Sequence, residues 1–396
     1  MASLRPRSPP TSRPRRAPAA SGSGILPPDL LFDVLLRLPA KELCRLRAVY
    51  RSWRVLTSDR LFVTAHAARH RGPLFVAKFR DDKTSISIVD LSGIVVKRIA
   101  GGAAAGPYHQ LLCTRLSLAC LATDWNRCSV VNPATGAVHV LPQSPAAEYV
   151  NRVNLRDPYT IFTLGRVPST GEHKVLRMFN RLGFQNGGEQ LFEVFTINGG
   201  TDRAQWRGSH SPGLFIDECS GTVVDGVIYF LTHRVYECAR HGIRPDYIVS
   251  FDLRREEWRG DLRGPISSNV GYEMVQLYKR YHLTLADLKG SLVLADQRDQ
   301  PFSMDLWFLA DFGTGLWVKE YHIRTESIVS TLTYKFDLKP LLVLDDGRLV
   351  LNLASEGLLF LCDPGTNTFA EVDIRCLDSV GVYTGNLLSL GGGDMM

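Results

Sequence analysis

The sequence predicts two unlike parts: a small helical segment over residues 25–71, then an all-β domain of the β-propeller class over residues 72–396, with six blades expected and seven possible. Three observations carry this. Apolar residues recur at helical spacing near the start. The hydrophobic period switches to two after Pro73. A hairpin pattern then recurs six times, five of them with a constant offset.

Residues 1–24 are rich in Pro, Ser, Arg and Ala and lack the apolar periodicity that burial needs, so they read as a disordered basic tail. Arg13-Pro14-Arg15-Arg16 has the composition of a nuclear import signal, and the acid-free stretch also resembles an organellar transit peptide; a solvated tail accounts for it as simply.

In the helical segment, Leu30, Leu31, Val34, Leu35 and Leu38 make one apolar face. Pro27 and Pro28 suit a first turn, where a missing N–H costs nothing, and Asp29 complements the positive helix end. Pro39 is expected to close that helix. Leu43, Leu46, Val49, Trp53, Leu56, Leu61 and Phe62 continue the apolar set. A segment of this size makes a marginal core unless a partner or a second domain covers it.

The β half shows its repeat in the turns. An apolar strand ends in Asp or Asn, a turn follows, and six residues later a large apolar side chain returns. Asp90 leads to Val96, Asn132 to Val138, Asp252 to Trp258, Asp311 to Trp317 and Asp363 to Phe369; Asn198 reaches Trp206 with two extra residues. Asp and Asn start turns by bonding backbone two residues on. Gly93, Gly136, Gly313, Gly315, Gly365 and Asn367 are expected to supply positive φ in them. A second hairpin precedes the fourth, fifth and sixth copies, around Asp225-Gly226, Lys289-Gly290 and Asp346-Gly347. Two hairpins give four strands, and four-stranded units repeated at this spacing are the mark of a propeller. The first copy offers only three strands: 74–79, 86–90 and 94–99. A stray strand-like stretch at 380–390 is expected to complete that blade and close the ring.

Charge and composition narrow the function. Apolar residues are 45% and charged residues 22%, ordinary for a globular chain. The net charge of +6 is uneven: +5 in residues 1–24 and +5 in 25–71, leaving 72–396 at −4. A nucleic-acid binder is not expected from that distribution. No apolar run approaches the roughly 18–20 residues of a membrane helix, and no secretory signal is seen, so neither a membrane nor a secreted role is expected. The eight cysteines form no C-x-x-C pair, so no metal site is expected; most read as buried free thiols of a reducing compartment. No H-E-x-x-H, P-loop or G-x-S-x-G elbow occurs, and Ser209-His210-Ser211 has no assignable acid. No catalytic residue and no cofactor are expected.

Leu26-Pro27-Pro28-Asp29-Leu30-Leu31, Val34-Leu35-Leu36-Arg37-Leu38-Pro39, Leu43-Cys44-Arg45-Leu46-Arg47-Ala48-Val49 and Arg51-Ser52-Trp53 resemble the F-box, with Tyr50 where that family often has Cys or Ser. The β half is similar to the F-box-associated, kelch-like β-propeller of plant F-box proteins, in pieces such as Val130-Val131-Asn132-Pro133-Ala134-Thr135-Gly136 and His173-Lys174-Val175-Leu176-Arg177. The resemblance implies a non-catalytic substrate receptor of an SCF-type ubiquitin ligase, in the cytoplasm or nucleus. It would dock on a Skp-type adaptor, and through it a cullin scaffold, while the propeller captures a target protein. Leu26, Pro27, Leu30, Leu31, Val34, Leu35, Leu38, Pro39, Leu43, Leu46, Val49 and Trp53 would share the adaptor interface and the internal core, with Leu30, Leu31, Val34, Pro39 and Trp53 foremost at the interface. Arg45, Arg47, Arg51 and Arg54 would add charge complementarity. A propeller scaffold outside a ligase, or a kelch-type propeller enzyme or sugar binder, are the rival readings. Pro142–Asp157, Tyr236–Asp246 and Gly264–Gly271 are the longest irregular connections, and Tyr272–His282 carries aromatic and basic anchors.

Overall fold

A computed structural model describes residues 27–70, 72–82, 84–100, 110–112, 117–123, 126–150, 160–181, 189–197, 205–233, 237, 245–266, 281–299, 302–329, 338–385 and 387–388. The N-terminal tail, Leu26 and most of Tyr272–His282 lie outside them.

Four short helices come first: α1 (Pro28–Leu36), α2 (Ala40–Val49), α3 (Arg51–Ser58) and α4 (Arg60–Arg69). Six antiparallel sheets follow, each a blade. Blade 1 holds β1 (Leu74–Phe79), β2 (Ser85–Asp90) and β3 (Val95–Ala100). Blade 2 holds β4 (Gln110–Leu112), β5 (Ala119–Thr123), β6 (Arg127–Val131) and β7 (Val138–Val140). Blade 3 is β8 (Thr160–Arg166), β9 (His173–Arg181), β10 (Glu189–Ile197) and β11 (Arg207–Ser209). Blade 4 is β12 (Thr222–Val224), β13 (Val227–Leu231), β14 (Tyr247–Asp252) and β15 (Glu257–Trp258), with β16 (Leu262–Arg263) also on β14. Blade 5 is β17 (Tyr281–Leu288), β18 (Ser291–Asp299), β19 (Phe302–Asp311) and β20 (Leu316–Arg324). Blade 6 is β21 (Leu338–Val343), β22 (Leu349–Leu353), β23 (Leu358–Asp363) and β24 (Thr368–Glu371).

The last strand, β25 (Leu377–Tyr383), pairs with β1 from Leu74↔Tyr383 to Phe79↔Leu377 and becomes the inner strand of blade 1. The ring is therefore closed by the chain's own C-terminal strand, which begins three residues and ends seven residues earlier than the 380–390 expected. The first strands of successive sheets touch one another all the way round, β25 to β4, β8, β12, β17, β21 and back. The core has no single centre. It is six apolar wedges, each shared by two neighbouring blades, such as Phe192, Val194, Phe230 and Phe251 between blades 3 and 4.

The repeated hairpin joins the third and fourth strands of each blade, and its polar residue caps the turn. Asp90 Oδ1 accepts from the N–H of Ser92 (2.9 Å) and Ile94 (3.0 Å). Asn132, Asp252, Asp311 and Asp363 accept in the same way two residues on. Asn198 lies outside the described residues. The left-handed position is filled by Gly93, Gly136, Gly315 and Asn367. Gly313 and Gly365 instead supply the N–H that the aspartate accepts, with no positive φ needed. At Gly93 (φ 77°) a Cβ would also lie 2.0 Å from the carbonyl oxygen of Asp373 in blade 6, so hydrogen is the only side chain that fits.

In blade 4 the left-handed position holds Glu256, at φ 59°. That conformation costs an L-residue about 1–2 kcal/mol. Its carboxylate crosses to blade 3, accepting from Lys174 Nζ at 2.7 Å and from Arg207 Nε at 3.0 Å and Nη2 at 2.6 Å. Glu256→Ala keeps the backbone cost and loses the bridges, and should lower stability by about 2 kcal/mol. Glu256→Gly relieves the backbone and should lose about 1 kcal/mol less. Urea unfolding ranks the three; a Gly variant more stable than wild type would show that the clamp adds nothing.

The tryptophans of the repeat are a second interblade tie. Trp206 donates its indole N–H to Pro142 O (2.7 Å), Trp258 to His210 O and Trp317 to Arg263 O (2.8 Å), each a carbonyl at or just past the end of the preceding blade's last strand. Of the described cysteines, Cys120, Cys128 and Cys362 are buried thiols and Cys44 is half-buried, while Cys219 and Cys376, which sit outside the strands, are exposed.

Alternating strand direction sorts the connections by face. Turns between first and second strands, and between third and fourth, open on one face, with tight examples at 225–226, 289–290 and 312–315. The other face receives the remaining connections, and the flanks of Pro142–Asp157, Tyr236–Asp246 and Gly264–Gly271 all open there. Leu74, Asp90 and Tyr383 share one end of blade 1, so α4 leads in at the tight-turn face.

Candidate adaptor-docking surface

Local chemistry delimits the helices. Pro27 is the N-cap of α1, Pro28 opens it and Asp29 lies in its first turn. The helix ends at Leu36, before Pro39, which caps the start of α2 instead. Asp59 caps α4 by accepting from the N–H of Leu61 at 2.8 Å. The fully buried core is Leu35, Leu43 and Phe62, joined by Leu388 from the far end of the chain. Phe32 meets Phe62 edge-on with ring centroids 5.0 Å apart.

Around that core the expected residues divide. Pro27, Leu30, Val34, Pro39 and Val49 are exposed. Leu31, Leu38, Leu46 and Trp53 are half-buried and pack against the helical core, so Leu31 and Trp53 offer only part of their surface. Leu35 and Leu43 are buried, which assigns them to the core rather than to a surface. Leu26 lies outside the described residues. Periodicity alone does not find two further exposed apolar side chains, Tyr50, which tilts onto Trp53 at 5.0 Å, and Val55; Leu61, a member of the apolar set, is exposed as well. Across Leu30, Val34, Val49, Tyr50, Val55 and Leu61, exposure runs from 45% (Val34) to 76% (Leu61). Leu30 and Val34 stand one turn apart on α1, a pair of anchors on one face.

The basic residues divide as well. Arg51 and Arg54 are exposed, and Arg45 pairs with Glu42 at 3.0 Å. Arg47 turns inward, donating to Thr57 Oγ1 at 2.8 Å and to Leu388 O at 2.6 Å. It is a structural tie, not part of a solvated basic face.

Two stacked histidines fasten α4 to the end of α1. His66 Nε2 lies 2.9 Å from Leu38 O and His70 Nε2 3.0 Å from Leu36 O, with the rings 4.2 Å apart. Burial pushes the pKa of His66 down, and the neighbouring His70 and Arg47 add to this against the bond to Leu38. With the folded pKa below the unfolded one, the unfolded chain takes up the proton first. The stability His66 contributes is then intact above about pH 6.5 and lost as pH falls toward its folded pKa. Hydrogen exchange in α1 and α4 should quicken between about pH 7 and pH 5 beyond the intrinsic rate, and less so in His66→Asn. A flat corrected rate in the wild type would contradict this.

On the propeller, Ser209 ends β11, and the backbone carbonyl of His210 accepts from the Trp258 indole.

Residues 25–64 match the family model of the F-box domain, and residues 99–383 match that of the F-box associated beta propeller domain. A putative F-box protein of Arabidopsis thaliana is 26% identical over 308 residues, covering 76% of this chain and 79% of that protein. An F-box/kelch-repeat protein of the same plant is 23% identical over 308 residues, with 73% and 76% covered. An F-box/LRR-repeat protein from it is 26% identical over 383 residues, with 92% and 82% covered.

Proposed function

Since this chain belongs to the family of F-box proteins with an F-box associated β-propeller domain, we propose that it is the substrate-recognition subunit of an SCF-type ubiquitin ligase. Its helices dock on a Skp-type adaptor, which joins it to a cullin scaffold, and its propeller holds the target protein. The chain supplies position and no bond-making group: a captured target gains effective concentration beside the ubiquitin-carrying enzyme. The cytoplasm or nucleus is the setting this requires.

One observation carries the reading. The helical module has a closed core, yet leaves Leu30, Val34, Val49, Tyr50, Val55 and Leu61 uncovered. Apolar anchors at helical spacing beside a completed core suit helix-in-groove recognition. Pro27, Pro39, Leu31 and Trp53 contribute at the margins, and Arg51 and Arg54 steer an acidic partner. The target binds on the face carrying the longer connections, since the helices attach at the tight-turn face.

Titration of the full chain with a purified Skp-type adaptor tests this. Leu30→Asp with Val34→Asp should weaken binding by about a hundredfold or more, because both charges would be desolvated in the groove. Val318→Asp, on the exposed outer strand of blade 5, should leave it unchanged. Failure of the wild type to bind at micromolar concentration would refute the ligase reading.

A further inference from the structure

β25 has completed blade 1 by Tyr383, and the chain then continues into both domains. Leu387 is buried in the wedge between blades 1 and 2, with Val76, Ile88, Leu121 and Val131. The adjacent Leu388 is fully buried in the helical core with Leu35, Leu43 and Phe62. Arg47 grips the pair by its backbone through Leu388 O, and Cys44 Sγ faces Leu387 O at 3.8 Å. Ala40, the first residue of α2, packs against both cores.

The helical module alone is thus missing one of its four fully buried core residues. A module of this size has little apolar area to spare, and a void at a fully buried leucine is not refilled by relaxation. The residue that fills it is delivered by the strand that closes the propeller ring. We propose that Leu387 and Leu388 are positioning residues that make ring closure and adaptor docking one cooperative event, with the helices and the propeller held as a single body. The adaptor arm rests on the function proposed above; the cooperation between the domains does not.

Two consequences follow from linkage. If only the completed module binds the adaptor, apparent affinity falls with the fraction of chains whose C-terminus is docked. Reciprocally, bound adaptor protects β25 and β1 from opening.

Hydrogen exchange on the full-length chain, with Leu388→Ser and Arg47→Gln, decides it. Leu388→Ser should speed exchange at least about tenfold in α2 and α4 and also in β25 and β1. Arg47→Gln, which removes the grip without emptying either core, should produce the same two-domain pattern more weakly and serves if the serine variant does not fold. A purified Skp-type adaptor should bind both variants more weakly, and should slow exchange in β25 and β1 of the wild type. Faster exchange confined to residues 384–388, or to the helices with β25 and β1 unchanged, would overturn the coupling. If the wild type binds no adaptor, the proposed function fails, while the exchange pattern still decides the coupling.

Discussion

A chain ending at Leu377 is expected to lose its folded propeller, not merely its last strand. Deletion of residues 378–396 removes nearly all of the pairing between β1 and β25, from Leu74↔Tyr383 to Lys78↔Ser379, and leaves β1 bonded only to β2. It also withdraws the buried side chains of Val382, Tyr383, Leu387 and Leu388. At about 1.5–3 kcal/mol per fully buried large apolar side chain, four such losses come to roughly 6–12 kcal/mol. That is comparable to the whole net stability of an ordinary domain, about 5–15 kcal/mol. The wedges on both sides of blade 1 would open, and β1 would become an unpaired inner edge. Calorimetry and near-UV circular dichroism should show no cooperative transition, or one lowered by more than about 15 °C. A truncated chain melting within about 3 °C of the intact one would show that the ring does not depend on its clasp.

Arg177→Ala should be the most damaging single substitution in the propeller. Arg177 and Glu193 face one another on β9 and β10, both at 0% side-chain exposure. The guanidinium donates through Nε and Nη2 to Glu193 Oε2, with the Nε bond at 2.9 Å. Its other hydrogens reach Asn126 Oδ1 at 3.3 Å and the carbonyls of Gln143 (3.2 Å) and Ser144 (3.1 Å). It stacks on Trp206, 3.9 Å from the ring centre. Glu193 Oε1 in turn accepts from the N–H of Ala146 at 2.6 Å. The pair therefore pins the connection that leaves blade 2 for blade 3. Removing the guanidinium leaves a buried carboxylate without its counter-charge and takes a donor from the carbonyls of Gln143 and Ser144, a cost of about 3–5 kcal/mol. Arg177→Lys should recover little, because an ammonium cannot reproduce the planar fork. Arg177→Met with Glu193→Met should recover part, since the lone charge goes but the carbonyls of Gln143 and Ser144 still lose the guanidinium donor. Denaturant titration with exchange at residues 142–146 measures this, and a loss below about 0.5 kcal/mol for Arg177→Ala would dismiss the role.

Much of the fold was legible because it is written in turns. Asp90, Asn132, Asp252, Asp311 and Asp363 cap their own loops within two residues, so the evidence for each hairpin is local. Six such hairpins, with a blade short by one strand and a spare strand at the end, imply a closed ring. Exceptions appear where a side chain serves a different blade. Glu256 occupies a left-handed position that turn chemistry would give to glycine, because its carboxylate is needed at Lys174 and Arg207. Arg177 and Glu193 look like solvent-facing alternation in strands of period two, yet the wedge between blades 2 and 3 encloses both.

The helical segment divides the same way. Spacing, the prolines and Asp29 determined that short helices form there and that their apolar surface exceeds what they can bury alone. Spacing could not separate Leu30, which is exposed, from Leu35, which is buried, although both belong to one apolar stripe. That choice depends on the phase at which four helices pack, and the phase is set by Phe62 and by Leu388 at the opposite end of the chain. By itself the sequence determined the class of fold and the closing of the ring, because capping, periodicity and repeat spacing act over a few residues. Only the tertiary structure decided which leucines are surface, which charges are core, and that the last leucines belong to both domains, because burial is a property of what arrives from far along the chain.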